Sequence, residues 1–135
     1  MLSTSRRTTK SVRSTKILSG PSLRTFFRIM DAWRAEERLR MRILGATRST
    51  YFRWKREPGR VRLPRDTLER LSYVLGIYKS LQILLPDPEA ADRWVRQPNR
   101  HPLFAGRPPL ERLSAGLVAD LYVVRQHLHA EHDCN

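Results

Sequence analysis

The chain has 135 residues, of which 40% are hydrophobic, and this length allows one small core or two very small ones. Its formal net charge is +13, and the whole excess lies in residues 1–63, which hold 17 Lys and Arg against 4 Asp and Glu, whereas residues 64–135 hold 9 of each. The basic half suits a polyanion such as nucleic acid. The sequence has no apolar run of membrane length, no secretory signal and no cysteine besides Cys134. These features argue against a membrane protein or a disulfide-bonded secreted protein and predict a cytoplasmic one.

The start of the chain, residues 1–20, is rich in Ser, Thr, Arg and Lys and predicts a disordered basic tail. Two interpretations of the tail stay open: a solvated segment, or a basic arm that lies along the DNA backbone. Gly20-Pro21-Ser22 then predicts the start of a helix with Ser22 as its N-cap. Large apolar residues follow at helical spacing and predict a core helix: Leu23, Phe26, Phe27, Met30 and Trp33.

Two shorter helices after this core helix predict a helix-turn-helix, within a DNA-binding region at residues 21–63. Gly45 lies where the first of the two would end in the left-handed conformation, and Ala46 follows as a small turn residue. Tyr51 and Trp54 come six and nine positions after Gly45, where the motif needs apolar residues that pack its second helix. The other side of the second helix is then available to the major groove.

The residues predicted to face DNA carry the chemistry that base and phosphate recognition needs. Arg48 and Arg53 can each present two donors to guanine, and Phe52 can contact a thymine methyl group. Ser49 can bond a base or a phosphate, and Arg62 is expected at a phosphate. The predicted DNA-binding set is Thr47 as N-cap, Arg48, Ser49, Phe52, Arg53, and the phosphate-binding Arg56 and Arg60.

The longest helical pattern runs from Arg65 to Leu85 and is apolar on two sides. One side holds Leu68, Leu71, Leu75, Tyr78 and Leu85, and the other holds Val74, Ile77, Leu81 and Leu84. A helix of this kind must be covered on both sides, so we expect one cover from the chain's own core and the other from a second subunit in a homodimer. Gly76 in its middle predicts either a close helix approach or a break into two helices.

A stretch rich in turn residues follows this helix. Asp87-Pro88-Glu89 predicts a helix start, and Pro98 ends that helix and opens a loop. Pro108-Pro109 predicts the start of another helix. The marked positions are Trp94, Pro98, Asn99, Phe104, Gly106, Pro109, Leu110 and Leu113, and we expect them to be mainly structural.

A last helix is predicted from the stripe Leu117, Leu121, Val124 and Leu128. His127, His129, His132 and Cys134 cluster near its end and raise the question of a metal. Zinc ligands in closed sites usually come from two rigid elements rather than from one fraying end. We therefore expect a polar terminal tail, with no metal and no other cofactor.

The marked positions from Trp94 to Leu113 resemble the hallmark of the C-terminal toxin-binding domain of the Xre/MbcA/ParS antitoxin family. Residues 47–55 are similar to an S-R-S-T-Y-Y-R-W-K-like stretch in the Xre/Cro-type DNA-binding fold of the same antitoxins, with Thr47 for the first Ser and Phe52 for the second Tyr. The resemblance extends to residues 68–85. It implies an all-α fold, with an N-terminal Xre/Cro-like helix-turn-helix region followed by a small helical domain, residues 64–135, for dimerisation and toxin binding.

What the resemblance implies about function is a bacterial type II antitoxin that represses its own operon. Its partner would be a RES or ParT-type toxin encoded nearby, which consumes NAD or uses it to modify a protein, and whose active-site entrance the antitoxin would cover. We expect Arg125, His129 and the chain end to contact the toxin. No phosphate-binding glycine loop or paired catalytic acids appear, so we do not expect an enzyme. The alternatives are a plain helix-turn-helix transcriptional regulator without a toxin partner and a nonspecific architectural DNA-binding protein.

Overall fold

The computed structural model describes residues 19–134. Of the disordered tail predicted at residues 1–20, residues 1–18 lie outside this range, and residues 19 and 20 belong to a helix. Within the described range the chain is entirely helical, as predicted, and contains no strand. Its helices are α1 (residues 19–32), α2 (Glu37–Leu44), α3 (Arg48–Arg56), α4 (Arg65–Leu84), α5 (Pro88–Arg93), α6 (Pro109–Leu113) and α7 (Val118–Cys134). Single-turn 3₁₀ helices follow α3 (Pro58–Arg60) and α5 (Trp94–Arg96).

The first helix begins earlier than its sequence signals predict. Residues 19 and 20 are already helical and buried, so the N-cap assignment of Ser22 is wrong. Ser19 Oγ accepts a hydrogen bond from the Leu63 amide at 3.3 Å. Gly20 packs on the backbone of Gly59, where an added Cβ would lie 3.3 Å from the Gly59 Cα. The physical reason is packing against the segment that follows α3, which local turn signals do not report.

The core of the first half lies between α1, α2 and α3. The stripe predicted on α1 is confirmed, with Phe27 half-buried and the rest buried: Leu23, Phe26, Met30 and Trp33. Phe27 meets Tyr51 of α3 edge-on, with ring centroids 5.8 Å apart. Ile43 and Leu44 of α2 complete this core, and we find Leu39 and Met41 only partly buried.

The turn between α2 and α3 has the predicted geometry. Gly45 adopts φ 68° and ψ 30°, the left-handed conformation that favours glycine. Its amide donates to the Arg42 carbonyl at 3.1 Å, and the Ala46 amide donates to the Met41 carbonyl at 3.0 Å. Thr47 Oγ1 then caps α3 by accepting from the Thr50 amide at 3.4 Å. The turn therefore supplies hydrogen bonds at the ends of both helices.

The second half is built on α4 and α7. Contacts advance together along the two helices, from Tyr73 against Tyr122 to Gly76 against Arg125, so the helices run side by side in the same direction. The helix α4 is unbroken, and a Cβ on Gly76 would lie 2.4 Å from Arg125 Nε. Gly76 therefore leaves room for the Arg125 side chain of the neighbouring helix and does not break α4.

Burial on α4 is asymmetric. Leu71, which the sequence placed on the side of Leu68, is buried together with Val74, Ile77 and Leu81 of the other side. The remaining apolar residues of the two predicted sides are only partly buried: Leu68, Leu75, Tyr78, Leu84 and Leu85. On α7 the stripe residues Leu121, Val124 and Leu128 are buried as predicted. Leu117 is 64% exposed and precedes the helix, so its place in the stripe is wrong, because Gly116 at φ 96° turns the chain just before α7 begins. None of the helices among residues 19–134 has the length and apolar character that crossing a membrane requires.

Candidate functional site

The second helix of the helix-turn-helix, α3, is anchored by two aromatic residues, Tyr51 and Trp54, which are buried as predicted. The Tyr51 hydroxyl donates to the Glu37 carboxylate, which also pairs with Lys55 Nζ. Partial burial by itself would raise the pKa of Glu37, but the hydrogen bonds from Lys55 and Tyr51 outweigh it and hold that pKa below its ordinary value. An ionised carboxylate on α2 thus ties down the inner side of α3.

The outer side of α3 carries the residues predicted to read DNA. Arg48, Ser49, Arg53 and Arg56 are exposed, and Thr47 is exposed at the N-cap. Phe52 is half-buried, with its ring edge-on to Tyr51 at 5.0 Å, and the Arg48 guanidinium carbon lies 5.2 Å from its ring centroid. Phe52 therefore supports the position of Arg48 through a cation–π contact and keeps part of its own ring in solvent.

Three arginines converge at the C-terminal end of α3. Arg53, Arg60 and Arg62 line an open pocket of about 220 Å³, together with Trp54, Glu57 and Val61. Of the three, Arg60 has an acid nearby, with its Nε 3.9 Å from the Glu57 carboxylate. A pocket lined by three arginines and one glutamate suits a phosphate. Arg56 is exposed and does not line this pocket.

The marked loop of the second half, residues 98–107, closes on itself through Asn99. The Asn99 side chain accepts a hydrogen bond from the His101 amide at 2.9 Å, and the Asn99 backbone carbonyl accepts one from the Gly106 amide at 2.8 Å. Gly106 has φ 81°, a conformation that glycine adopts without strain. Phe104 is buried edge-on against Trp94, with ring centroids 5.6 Å apart. Pro109, Leu110 and Leu113 are buried, whereas Pro98 is exposed at the loop start.

This loop is fastened to α7 through His127. The His101 and His127 rings lie 4.2 Å apart, and Phe104 packs edge-on to His127 at 6.1 Å. Burial lowers the pKa of His127 and the neighbouring His101 lowers it further, while Glu131 acts in the opposite direction. The imidazole is thus held in its neutral form against the loop.

The lowered pKa of His127 gives the fold a pH dependence. The unfolded state, with an ordinary histidine pKa of about 6.5, binds a proton more readily than the folded state, so the stabilisation is present above that pH and is lost as the pH falls towards the folded pKa. We expect the free energy of unfolding, measured by urea denaturation, to fall between about pH 7.5 and 5.5 and this slope to flatten in His127→Gln. The control is His129→Gln, which makes the same change from imidazole to amide on the same helix. Equal pH slopes in the wild type, His127→Gln and His129→Gln would contradict the prediction.

The predicted toxin-contacting residues lie one turn apart on α7. Arg125 is half-buried and crosses α4 at Gly76. His129 is exposed, its Nε2 3.2 Å from the Asp133 carboxylate. His132 lies beside His129 and Asp133. The atoms of these three residues that could bind a metal all lie within 4.8 Å of one another. The predicted cluster is thus only partly brought together, since His127 faces the loop and the Cys134 side chain lies outside the described part.

Sequence reasoning missed three arginines that act inside the fold. Arg40 is 8% exposed and donates to the Ala35 carbonyl at 2.8 Å and to Asp31 at 2.9 Å. Arg112 Nη1 donates to the Leu103 carbonyl at 2.6 Å, while its Nε pairs with Asp120 at 3.2 Å. The third, Arg70, bridges both halves. Their partners are distant or are backbone carbonyls, so no local pattern identifies them.

Comparison with known proteins covers nearly the whole described range. Residues 12–76 match the antitoxin Xre-like helix-turn-helix domain, and residues 80–132 match the antitoxin Xre/MbcA/ParS C-terminal toxin-binding domain. An uncharacterized protein of Sinorhizobium fredii, y4oB, is 46% identical over 110 residues, which make up 81% of this chain and 82% of that protein. No solved structure matches the chain. The resemblance and the fold class predicted from the sequence are thereby confirmed.

Proposed function

Since the chain belongs to the Xre/MbcA/ParS antitoxin family, we propose that it neutralises a nearby-encoded RES-type or ParT-type toxin by covering its NAD-using active site. We propose further that it represses its own operon by binding DNA, and that it acts as a binding protein rather than as an enzyme. In this proposal residues 21–63 bind DNA, and residues 64–135 form the dimerisation and toxin-binding unit.

The observation that carries the toxin proposal is the match of residues 80–132 to a toxin-binding domain. The end of α7, where this segment ends, offers exposed polar groups: the side chains of His129 and Asp133 are 47% and 58% exposed. Arg125 lies one turn before them and keeps part of its surface in solvent. We therefore place the toxin contact on Arg125, His129 and the chain end.

A truncation after Leu128 tests this contact without removing core residues, because Leu128 itself is 1% exposed and stays in place. We expect the truncated chain to bind the toxin at least about tenfold more weakly and to fail to relieve its growth arrest. His129→Ala should move both readouts in the same direction. Arg65 is exposed on α4, so Arg65→Ala serves as the control and should leave both readouts unchanged. A folded truncated chain that neutralises the toxin fully would overturn this placement.

The DNA proposal is supported by the exposed arginines of α3 and by the pocket beside them, which three arginines line. If about six phosphates are neutralised, the logarithm of the association constant should fall with the logarithm of salt concentration with a slope of roughly −5. Paired recognition helices read two half-sites one helical turn apart, so we propose a homodimer that covers the partly buried side of α4. A concentration-independent monomer mass would contradict the homodimer.

A plain transcriptional regulator without a toxin partner is the second candidate, and the helix-turn-helix match supports its DNA-binding part equally well. The two candidates differ in the neighbouring reading frame. An antitoxin requires that the neighbouring frame encode a protein that arrests growth, and that this chain relieve the arrest. A plain regulator requires no such neighbour. Nonspecific architectural binding predicts equal affinity for all duplexes and is separated from both by competition with random DNA.

A further inference from the structure

One arginine of α4 reaches into the helix-turn-helix and into the toxin-binding half at the same time. The Arg70 side chain is 11% exposed. Its Nη1 donates to the carbonyls of Arg42 and Ile43, each at 3.3 Å, and its Nη2 donates to the Gly116 carbonyl at 3.1 Å. Its Nε donates to Asp66 at 3.0 Å within α4. The planar guanidinium thus joins three separate segments.

The two carbonyls on the helix-turn-helix side belong to the last turn of α2. Carbonyls at a helix C-terminus lack intrahelical partners and form the negative end of the helix dipole, so a guanidinium stabilises them by hydrogen bonds and by charge. The guanidinium also lies directly against the turn, because a Cβ added to Gly45 would lie 2.9 Å from Arg70 Cζ. Arg70 therefore closes the end of α2 at the point where the chain turns into α3.

The remaining acceptor comes from the second half. Gly116 has φ 96° and lies two residues before the first residue of α7, so its carbonyl is presented by the turn that leads into the last helix. Lysine cannot replace this arrangement, because an ammonium is a point charge and does not offer the planar fork that spans several acceptors.

We propose that Arg70 is a positioning residue for operator reading, through which α4 and the toxin-binding half hold the turn that aims α3. This inference rests on the proposed DNA binding. Base contacts require α3 at a defined depth and angle in the major groove, whereas contacts to phosphates tolerate displacement and carry no sequence information. Loosening the turn therefore reduces operator affinity more than affinity for random DNA.

The test compares Arg70→Met, Arg70→Lys and Arg65→Met with the wild-type chain, using a duplex of the promoter region upstream of this gene and a random duplex of equal length. Arg65 is exposed on the same helix, so Arg65→Met removes the same charge. We expect Arg70→Met to reduce the ratio of operator to random affinity about tenfold relative to Arg65→Met. Arg70→Lys should restore affinity for random DNA but only part of this ratio.

Circular dichroism and thermal unfolding establish that each variant is folded at the temperature of the assay. If Arg70→Met unfolds, Arg70→Lys and Asp66→Asn test the positioning role instead. The Asp66 side chain is 60% exposed. Asp66→Asn therefore leaves the carbonyl contacts of Arg70 in place and weakens only the ion pair that orients the guanidinium. Asp66→Asn should lower the ratio about two- to threefold. Equal ratios in folded Arg70 and Arg65 variants would overturn the positioning role. A wild-type chain that binds both duplexes equally would instead overturn operator reading, and this role with it.

Discussion

Replacing Arg48 and Arg53 together with alanine is expected to weaken operator binding by about a hundredfold or more, because each bidentate arginine–guanine pair is worth roughly 1–3 kcal/mol of discrimination. Both side chains are exposed on the outer side of α3, and Arg48 is supported by the Phe52 ring. The anchoring residues Tyr51 and Trp54 lie on the opposite, buried side. The fold should therefore be unaffected, and electrophoretic mobility shift or fluorescence anisotropy measures the loss.

The matched control for this prediction is the double lysine variant. Arg48→Lys and Arg53→Lys keep both charges but lose the planar fork, so affinity for a random duplex should stay within about twofold while operator affinity falls about thirtyfold. Equal losses on operator and random DNA in the lysine variant would show that the two arginines hold phosphates rather than bases.

Replacing Phe104 with alanine is expected to lower the free energy of unfolding by about 3–5 kcal/mol, the usual cost of removing a buried phenyl ring. Phe104 is 4% exposed and packs against Trp94, His101 and His127. Its loss detaches the loop at residues 98–107 from α7, so toxin neutralisation should fail as well. Urea denaturation followed by circular dichroism measures the change in stability.

Phe104→Leu separates packing from specific chemistry at this position. It keeps most of the buried volume and should cost less than about 1.5 kcal/mol. A loss below about 1 kcal/mol in Phe104→Ala would contradict the structural role of this loop. Full stability combined with lost neutralisation would instead make Phe104 a direct toxin contact.

The parts of the fold that follow from short-range rules were predictable. Gly45 predicted a left-handed helix end, and apolar spacing predicted the buried stripe of α1. The loop that begins at Pro98 was predicted from turn residues, and Asn99 bonds within it two residues on, to the His101 amide. In each case the residues that decide the geometry lie within a few positions of one another.

The features that could not be predicted from the sequence depend on partners far away in the chain. The early start of α1 depends on Ser19 and Leu63, which are separated by 44 residues. Gly76 left a break and a close approach equally open until Arg125 was placed beside it. The sequence did not single out Arg70, because its carbonyl acceptors come from two other segments. Long-range acceptors leave no periodic signal in the sequence.

Co-expression of this chain with the neighbouring gene, with growth and cellular NAD recorded together, distinguishes an antitoxin from a plain DNA-binding regulator. We expect growth arrest when the neighbouring gene is expressed alone and full relief when this chain is present. A fall in NAD that is reversed together with growth would identify the RES-type reaction, and arrest at constant NAD would identify a protein-modifying toxin. No arrest, or arrest that this chain does not relieve, would contradict the antitoxin function and leave the plain DNA-binding regulator.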